Sequence, residues 1–276
     1  RWTIVADEAK AQSMGKSYSW INIAMVTGTI LGPLAGGLIA DFYGIHAPFY
    51  TTFLFMSSIF FLSLLTQETK REQPPITQHK PEEDHKEAVF YSVMFKFAML
   101  NVIQSIGRSI ITPITPVFMV KQFSVDYAAI GLLYSIGMGL ASLVVQIPGG
   151  RLADKYDRKK IMIIGFTLSA PFEALFAVSR SIWELFIFMF LSRALFQLAL
   201  PAWQAILQDL TPSTRWGLMN GISAAGGWAG AVIGSALSGF IWYTFGMFIP
   251  YYIAGLTMFA SITPILFLKD NRSSSQ

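Results

Sequence analysis

Three charged side chains lie inside long apolar stretches of the sequence, where their chemistry would be ion binding or proton exchange. They are Arg108, Glu173 and Arg193. A charge inside such a stretch is costly and usually faces a cavity or a partner of opposite charge. The arginines could bind an anionic substrate or pair with a carboxylate that cycles protons. The structural alternative is a pair with Glu173 that holds neighbouring helices together. Lys96 and Glu184 lie near the ends of their stretches and can reach the membrane surface, so they are set aside.

Polar side chains accompany the two arginines at helical spacing. Asn101, Gln104 and Arg108 recur every three or four residues, which places them on one helix face. Gln197 follows Arg193 by one turn. We interpret these residues as the lining of a substrate pathway. Further candidates for the same lining are Gln146, Asn220 and Trp228.

The composition points to a lipid bilayer and argues against several classes of site. The chain is 53% hydrophobic and 13% charged, whereas a soluble domain carries about 25% charged residues. It contains no cysteine, which excludes disulfides, thiolate metal sites and cysteine nucleophiles. Its only histidines are His46, His79 and His85, so we expect no metal and no cofactor. Without paired carboxylates in the spans or a Gly-x-Ser-x-Gly nucleophile turn, we do not expect an enzyme.

The elements that must position the polar residues are membrane-spanning helices. A span needs about 20 mostly apolar residues to cross a bilayer core of about 30 Å. The sequence contains eight such stretches, at 15–40, 48–66, 92–119, 127–148, 161–178, 182–204, 217–243 and 247–268. All should be α-helical, because backbone polar groups in lipid must be satisfied within the segment. The fold class predicted is therefore an all-α polytopic membrane protein.

The distribution of Lys and Arg between the loops predicts the orientation. Fifteen of these residues fall on the side that carries both ends of the chain, and the opposite side holds only Lys121 and Arg180. By the positive-inside rule the first side is cytoplasmic, which predicts a multi-pass protein of the cell membrane. The net charge of +4 is thereby explained by topology, so nucleic acid is not an expected partner.

The two ends of the sequence repeat each other at an offset of 202 positions. Within residues 7–50, nine positions are identical to those 202 further along, without a gap, and most of them are glycine or proline. These residues fix backbone geometry and close helix approach, which a duplicated fold must retain. The identical pairs begin with Asp7 and Asp209 and end with Tyr50 and Tyr252.

The repeat predicts the domain organisation. Residues 1–66 are expected to be the last two spans of an N-terminal six-helix bundle, and 91–276 a complete C-terminal six-helix bundle. The charged, proline-containing stretch 67–90 is expected to be a solvated cytoplasmic linker. The earlier copy of 91–202 would precede Arg1 and supply four further spans, which makes twelve in the whole molecule.

One loop between predicted spans resembles a motif of the major facilitator superfamily. The sequence from Gly150 to Lys160 matches Gly-x-Leu-Ala-Asp-x-x-Gly-Arg-Lys, with Asp157 in place of the second glycine. The gating residues implied by this resemblance are Gly150, Asp154, Arg158 and Lys159. Asp154 could cap a helix or pair with Arg158 and so stabilise one conformation of a gate. The alternative is that the basic cluster is only a topology signal.

Two further stretches resemble the same family. The residues Pro201, Ala202, Asp209, Pro212, Arg215 and Gly217 resemble the segment that leads into its eleventh helix. The residues Gly28, Gly32, Pro33, Gly36 and Gly37 resemble the fifth-helix motif of proton-coupled antiporters. Small residues at this spacing let membrane helices approach closely, and a proline can kink the helix. Arg193 also resembles the helix-ten counterpart of an arginine that is linked to proton coupling in some members.

The resemblance implies the major facilitator fold of two six-helix bundles and transport by alternating access. The interpretation favoured is a secondary active transporter that exports a hydrophobic or amphipathic small molecule in exchange for protons. The first alternative is uptake of a metabolite such as an organic anion. The second alternative is a non-transporting membrane sensor or an inactive fragment. The expected partners are the substrate, protons and the lipid bilayer. The protein is expected to be a monomer once the first four helices are present.

Overall fold

The helical character of the chain is seen in a computed structural model that describes residues 14–64, 84–212 and 215–267, with side chains at 24–64, 90–145, 147–212 and 215–267. Across these residues the regular structure is helical, and no strand occurs in them. The all-α prediction is therefore confirmed.

Thirteen helical elements follow one another along the described residues. They are α1 (Met14–Tyr43), α2 (Ala47–Leu64), α3 (Asp84–Ile111), α4 (Thr115–Phe123), α5 (Tyr127–Tyr134), a π-helical segment (Ser135–Leu140), α6 (Ala141–Lys155), α7 (Arg158–Leu175), a 3-10 turn (Phe176–Val178), α8 (Ile182–Asp209), α9 (Trp216–Phe245), α10 (Ile249–Ala260) and α11 (Ile262–Leu266).

Seven of the eight predicted spans correspond to helices that are long and apolar enough to cross a membrane. Within the described residues these are Ala24–Tyr43, Ala47–Leu64, Tyr127–Lys155, Arg158–Val178, Ile182–Asp209, Trp216–Phe245 and Ile249–Leu266. The exception is the predicted span 92–119, which a turn at 112–114 divides into α3 and α4. Large polar side chains within the predicted span lower the apolar character of α3, among them Lys96, Asn101, Gln104 and Arg108.

The first of two compact units comprises the described residues of 1–80 together with 126–139. In it, α1 packs along α5 through small residues, because Gly37 lies against the backbone of Tyr127 and Ala128, and Gly131 lies against the carbonyl of Pro33. A Cβ atom at Gly37 or Gly131 would overlap backbone atoms of the other helix. Glycine is therefore required for this close approach.

The second compact unit comprises 81–125 and 140–276, and its described helices enclose an aromatic core. The rings of Phe97 and Trp203 lie 5.4 Å apart, and those of Phe166 and Phe196 are stacked at 5.3 Å. Trp203 also meets Phe166 at 6.2 Å, so α3, α7 and α8 are joined by one aromatic cluster. Edge-to-face and stacked aromatic pairs add to the free energy that burial of their area provides.

Candidate functional site

The structure brings together the three charged side chains that the sequence singled out. Arg108 on α3 interacts electrostatically with both Glu173 on α7 and Arg193 on α8. The guanidinium carbon of Arg108 lies 4.0 Å from the ring centroid of Phe196, which packs it against the aromatic core. Glu173 is only 6% exposed, and its Oε1 accepts a hydrogen bond from the hydroxyl of Ser192 at 3.4 Å.

Two polar atoms of this cluster have unused hydrogen-bonding capacity among the described residues. Arg108 Nη2 and Glu173 Oε2 are buried, and neither has a hydrogen-bond partner among the residues that the structure describes. Buried polar atoms in folded proteins nearly always have a partner, either protein or water. The cluster thus offers one charged donor and one charged acceptor. In the described conformation Arg108 and Glu173 are neighbours rather than a closed hydrogen-bonded pair.

The amides predicted to line the pathway are partly engaged in holding the bundle. Gln104 is buried and its Nε2 lies 3.4 Å from the hydroxyl of Ser261, just before α11. Gln197 donates to the hydroxyl of Ser142 on α6 at 2.5 Å. Asn101 donates within α3, to the carbonyl of Phe97 at 3.0 Å. Gln104 and Gln197 therefore connect neighbouring helices beside the charged cluster.

The remaining predicted pathway residues lie away from this cluster or outside the described side chains. Trp228 is 75% exposed on α9, so its indole faces out of the second unit. Asn220 is also exposed, and its amide donates to the carbonyl of Trp216 on its own helix at 2.9 Å. The side chain of Gln146 lies outside the described residues.

Two polar residues that the sequence analysis missed extend the pathway candidates along α8. Gln204 and Gln208 follow Arg193 and Gln197 on the same face, because all four positions fall within about 60° of the helix surface. They line a small recess between α8 and α9. The other lining residues are Leu207, Thr211, Trp216, Met219 and Asn220. The spacing 193, 197, 204 and 208 is the signal that would have identified this stripe.

The loop that resembles the family's gating motif is a tight connection between α6 and α7. Asp157, which stands where the family pattern has glycine, has a φ of −57°, and its side chain accepts a hydrogen bond from the backbone N–H of Lys160 at 3.2 Å. An aspartate at this position is therefore an N-cap for α7. The turn does not need the left-handed backbone that glycine would favour.

The basic residues of this loop contact the ends of neighbouring helices. Arg158 forms an ion pair with Asp209 at 2.5 Å and so joins the start of α7 to the end of α8. The carboxylate that Arg158 contacts is thus Asp209 and not Asp154, whose side chain is exposed just before the end of α6. Lys159 donates to the carbonyl of Leu266 at 2.8 Å, at the end of α11. Gly150 lies within α6, and a Cβ atom there would meet no atom within 4 Å in the described part of the chain.

Glycines recur every four residues on α1 and on α9, which are the two copies of the repeat, but the two sets of glycines differ in what they contact. On α9 the residues Gly226, Gly230 and Gly234 lie directly against backbone carbonyls of α3. On α1 a Cβ atom at Gly28, Gly32 or Gly36 would meet nothing within 4 Å among the described residues. The antiporter-like residues that do contact another helix are Pro33 and Gly37, which face α5.

A metal site has no counterpart in the described part of the chain. In that part no three His, Cys, Asp or Glu side chains converge as ligands would. The charged cluster itself offers two guanidinium groups, one carboxylate and the neighbouring amides, which are groups that form charged hydrogen bonds.

Comparison with known proteins gives one family. The model of the Major Facilitator Superfamily matches residues 97–276. The chain is 24% identical to the uncharacterized MFS-type transporter YuxJ of Bacillus subtilis, over 99% of this chain and 70% of that protein. It is 29% identical to the multidrug resistance protein MdtG of Salmonella typhimurium, over 74% of this chain and 51% of that protein. It is 25% identical to the multi-drug resistance efflux pump PmrA of Streptococcus pneumoniae, over 86% of this chain and 61% of that protein. The chain thus spans between half and 70% of the length of these relatives.

Proposed function

The chain belongs to the major facilitator superfamily, and from this premise we propose that it forms part of a secondary active transporter that exports amphipathic small molecules in exchange for protons. Membership makes it a membrane transport protein rather than an enzyme. The names of two relatives, a multidrug resistance protein and a multi-drug efflux pump, support export as the direction. Resemblance of Gly28–Gly37 to the antiporter motif supports exchange with protons.

The observation that carries the proposal is the open acceptor of Glu173 inside a membrane-spanning helix. Glu173 Oε2 is buried without a hydrogen-bond partner among the described residues, while Arg108 and Arg193 lie near enough to act on its charge. A proton and a hydrogen-bond donor of the substrate would compete for this oxygen. Competition of two ligands for one site makes their binding mutually exclusive, which is the requirement for exchange.

Alternating access would move this site between the two membrane faces. Under the proposal, 1–66 ends an N-terminal six-helix bundle, 67–90 is a cytoplasmic linker and 91–276 is the C-terminal bundle. Rocking of the two bundles about a site near the bilayer midplane would expose it to each side in turn. The proposed orientation, with both ends of the chain in the cytoplasm of the cell, follows from the distribution of Lys and Arg in the loops. The proposed active form is a monomer.

The test is proton movement driven by substrate in inverted membrane vesicles that contain the complete polypeptide. A pH gradient is established, and a hydrophobic cationic dye and an aromatic antibiotic are added in turn. We expect added substrate to dissipate the gradient in the parent protein, and Glu173→Gln to abolish this response. Glu184→Gln is the matched control, because Glu184 lies at the start of the next helix, α8, and accepts a hydrogen bond from the backbone N–H of Arg180. A full response from Glu173→Gln would remove Glu173 from the coupling mechanism.

A second candidate function is uptake of an organic anion together with a proton. It is favoured by the open donor of Arg108 and by the presence of two arginines beside one carboxylate. In this case a proton on Glu173 would remove the negative charge beside Arg108, whose guanidinium could then bind the anion, so proton and substrate would enter together. Accumulation of a radiolabelled carboxylic acid by cells, with no effect of the drugs on vesicle pH, would support uptake over export.

A further inference from the structure

The carboxylate of Asp41 holds the first turn of a helix that is distant in sequence. Asp41 lies near the end of α1, and its two oxygens accept hydrogen bonds from the backbone N–H groups of Tyr127 and Ala128, each at 2.9 Å. These are the first two residues of α5. The first N–H groups of a helix have no partner within the helix, and a carboxylate makes charge-assisted hydrogen bonds to them. Asp41 therefore acts as a cap supplied from a different helix.

The rest of the start of α5 is capped by its own chain. The Oδ1 atom of Asp126 accepts from the N–H of Ala129 at 2.7 Å, and the carbonyl of Asp126 accepts from the N–H of Ile130 at 3.2 Å. The first four N–H groups are thus shared between two aspartates. If Asp41 moved away, α5 would keep its local cap, and water could reach the exposed first turn. The contact to Asp41 can therefore break and re-form without unfolding of α5.

Asp41 continues a line of close contacts between α1 and the segment 127–139. Gly37, one turn before Asp41, lies against the backbone of Tyr127, and Ile30 lies against Gly139 at the other end of the line. Positions 30, 37 and 41 share one face of α1. The other contacts in this seam between α1 and the segment 127–139 are made by glycines, backbone atoms and the apolar side chain of Ile30, so the hydrogen bonds of Asp41 are its charged part.

The repeated fold does not itself require this carboxylate. At the offset of 202 positions, Gly37 is matched by Gly239, but Asp41 is matched by Tyr243. Tyr243 is 92% exposed at the end of α9. The repeat retains the glycine and not the aspartate, so the carboxylate is particular to α1.

We propose that Asp41 acts as a latch. By capping α5, it stabilises the state in which the outer side of the transport pathway, the outer gate, is closed. The proposal rests on the proposed alternating-access function and orientation, which place this end of α1 and α5 at the outer membrane face. By the repeat, α1 belongs to the first half of the molecule and α5 to the second. Opening the outer gate separates the outer ends of the halves and breaks both hydrogen bonds. Asp41 is thus a positioning residue that sets how much of the protein is closed to the outside.

The reaction rate of a single thiol placed between α1 and the segment 127–139 measures this opening. Ser135 is 2% exposed and lies on the same face as Gly131 and Gly139, which contact α1. The chain has no cysteine, so Ser135→Cys introduces one thiol into it at little change in size. The complete polypeptide, free of other cysteines, is labelled in intact cells with a membrane-impermeant maleimide. The labelling rate is divided by the total amount of thiol, which is measured after the isolated membranes are denatured. The rate therefore refers only to protein that is present in the membrane.

We expect Asp41→Ala to raise the labelling rate about five-fold, the change in an equilibrium constant that corresponds to loss of a cap worth about 1 kcal/mol. Asp41→Asn should give a smaller rise, because its amide oxygen still accepts one hydrogen bond. Asp126→Ala is the matched control, since it removes a carboxylate from the same helix start but leaves both bonds between α1 and α5. It should leave the rate unchanged.

An unchanged rate in both Asp41 variants would overturn the latch. So would an equal rise in Asp126→Ala, because the effect would then come from fraying of α5. If Asp41→Ala fails to reach the membrane, Asp41→Asn decides the outcome alone. The measurement needs neither substrate nor a proton gradient. A parent protein that shows no transport, but responds to the Asp41 variants, would overturn the proposed function and leave the latch standing.

Discussion

At the scale of single residues, Arg108 and Glu173 lie close together because three different helices pack against one another. Arg108 comes from α3 and Glu173 from α7, and Phe196 of α8 supports the guanidinium from one side. Their residue types and their place within apolar stretches identified both as candidates for the site. Their proximity, and the two open hydrogen-bonding atoms that result from it, depend on how the helices rotate against one another. The pathway roles of Arg108, Glu173 and Arg193 stay predictions.

Arg108→Ala tests the residue that offers the open donor. We expect the transport rate to fall at least about ten-fold, because hydrogen bonds to charged groups contribute about 1.5–3 kcal/mol. Arg108→Lys should recover only part of the rate, since an ammonium lacks the planar fork of the guanidinium. The rate is measured as dye efflux per molecule of protein in the membrane. Lys121→Ala, in α4, is the control and should transport normally, whereas full transport by Arg108→Ala would exclude a pathway role.

At the scale of elements, glycine spacing predicts close packing, but the partner helix is decided by the tertiary structure. The same four-residue spacing packs Gly230 of α9 against α3 and leaves Gly28 of α1 in open space among the described residues. The contact of α9 is completed by Ser238, whose hydroxyl donates to the carbonyl of Ile110 at 2.6 Å. Helix–helix association in lipid depends on such close contacts, because burial of apolar area drives it little.

Gly230→Ala should destabilise the second unit, whereas Gly221→Ala in the same helix should not. A Cβ atom at Gly230 would overlap the carbonyl of Val102, and one at Gly221 would meet nothing within 4 Å among the described residues. Overpacking of this kind costs about 1–3 kcal/mol, while alanine is favoured over glycine in a helix by about 0.5–1 kcal/mol. The melting temperatures of the purified variants in detergent provide the comparison. Equal melting temperatures for the two variants would show that α9 and α3 can move apart at little cost in free energy.

At the scale of the whole molecule, the loops determine which end of each helix faces the cytoplasm. The end of α6 and the start of α7 together carry five basic residues between Arg151 and Lys160, and two of them contact the ends of other helices. Arg158 binds Asp209, and Lys159 binds the carbonyl of Leu266. The basic cluster therefore also connects the ends of α7, α8 and α11 within the second unit.

The proposed orientation predicts which introduced thiols an impermeant reagent can reach. Gln122→Cys, near the end of α4, should be labelled by a maleimide added to intact cells, and Tyr156→Cys, between α6 and α7, should not. Both side chains are exposed in the structure, so burial does not explain a difference. After the membrane is permeabilised, both thiols should react. Labelling of Tyr156→Cys in intact cells would reverse the orientation and place the basic loops outside, against the positive-inside rule.

The sequence by itself determined the helical class, the positions of seven spans and the family, because apolar length and loop motifs are local properties that survive without knowledge of contacts. Only the tertiary structure decided that Arg158 pairs with Asp209, that Gln204 and Gln208 line a recess, and that Asp41 caps α5. Each of these depends on the rotation of one helix about its axis relative to another. A spacing pattern shows which residues share a face, but the neighbour that meets this face is set by packing between segments far apart in the chain.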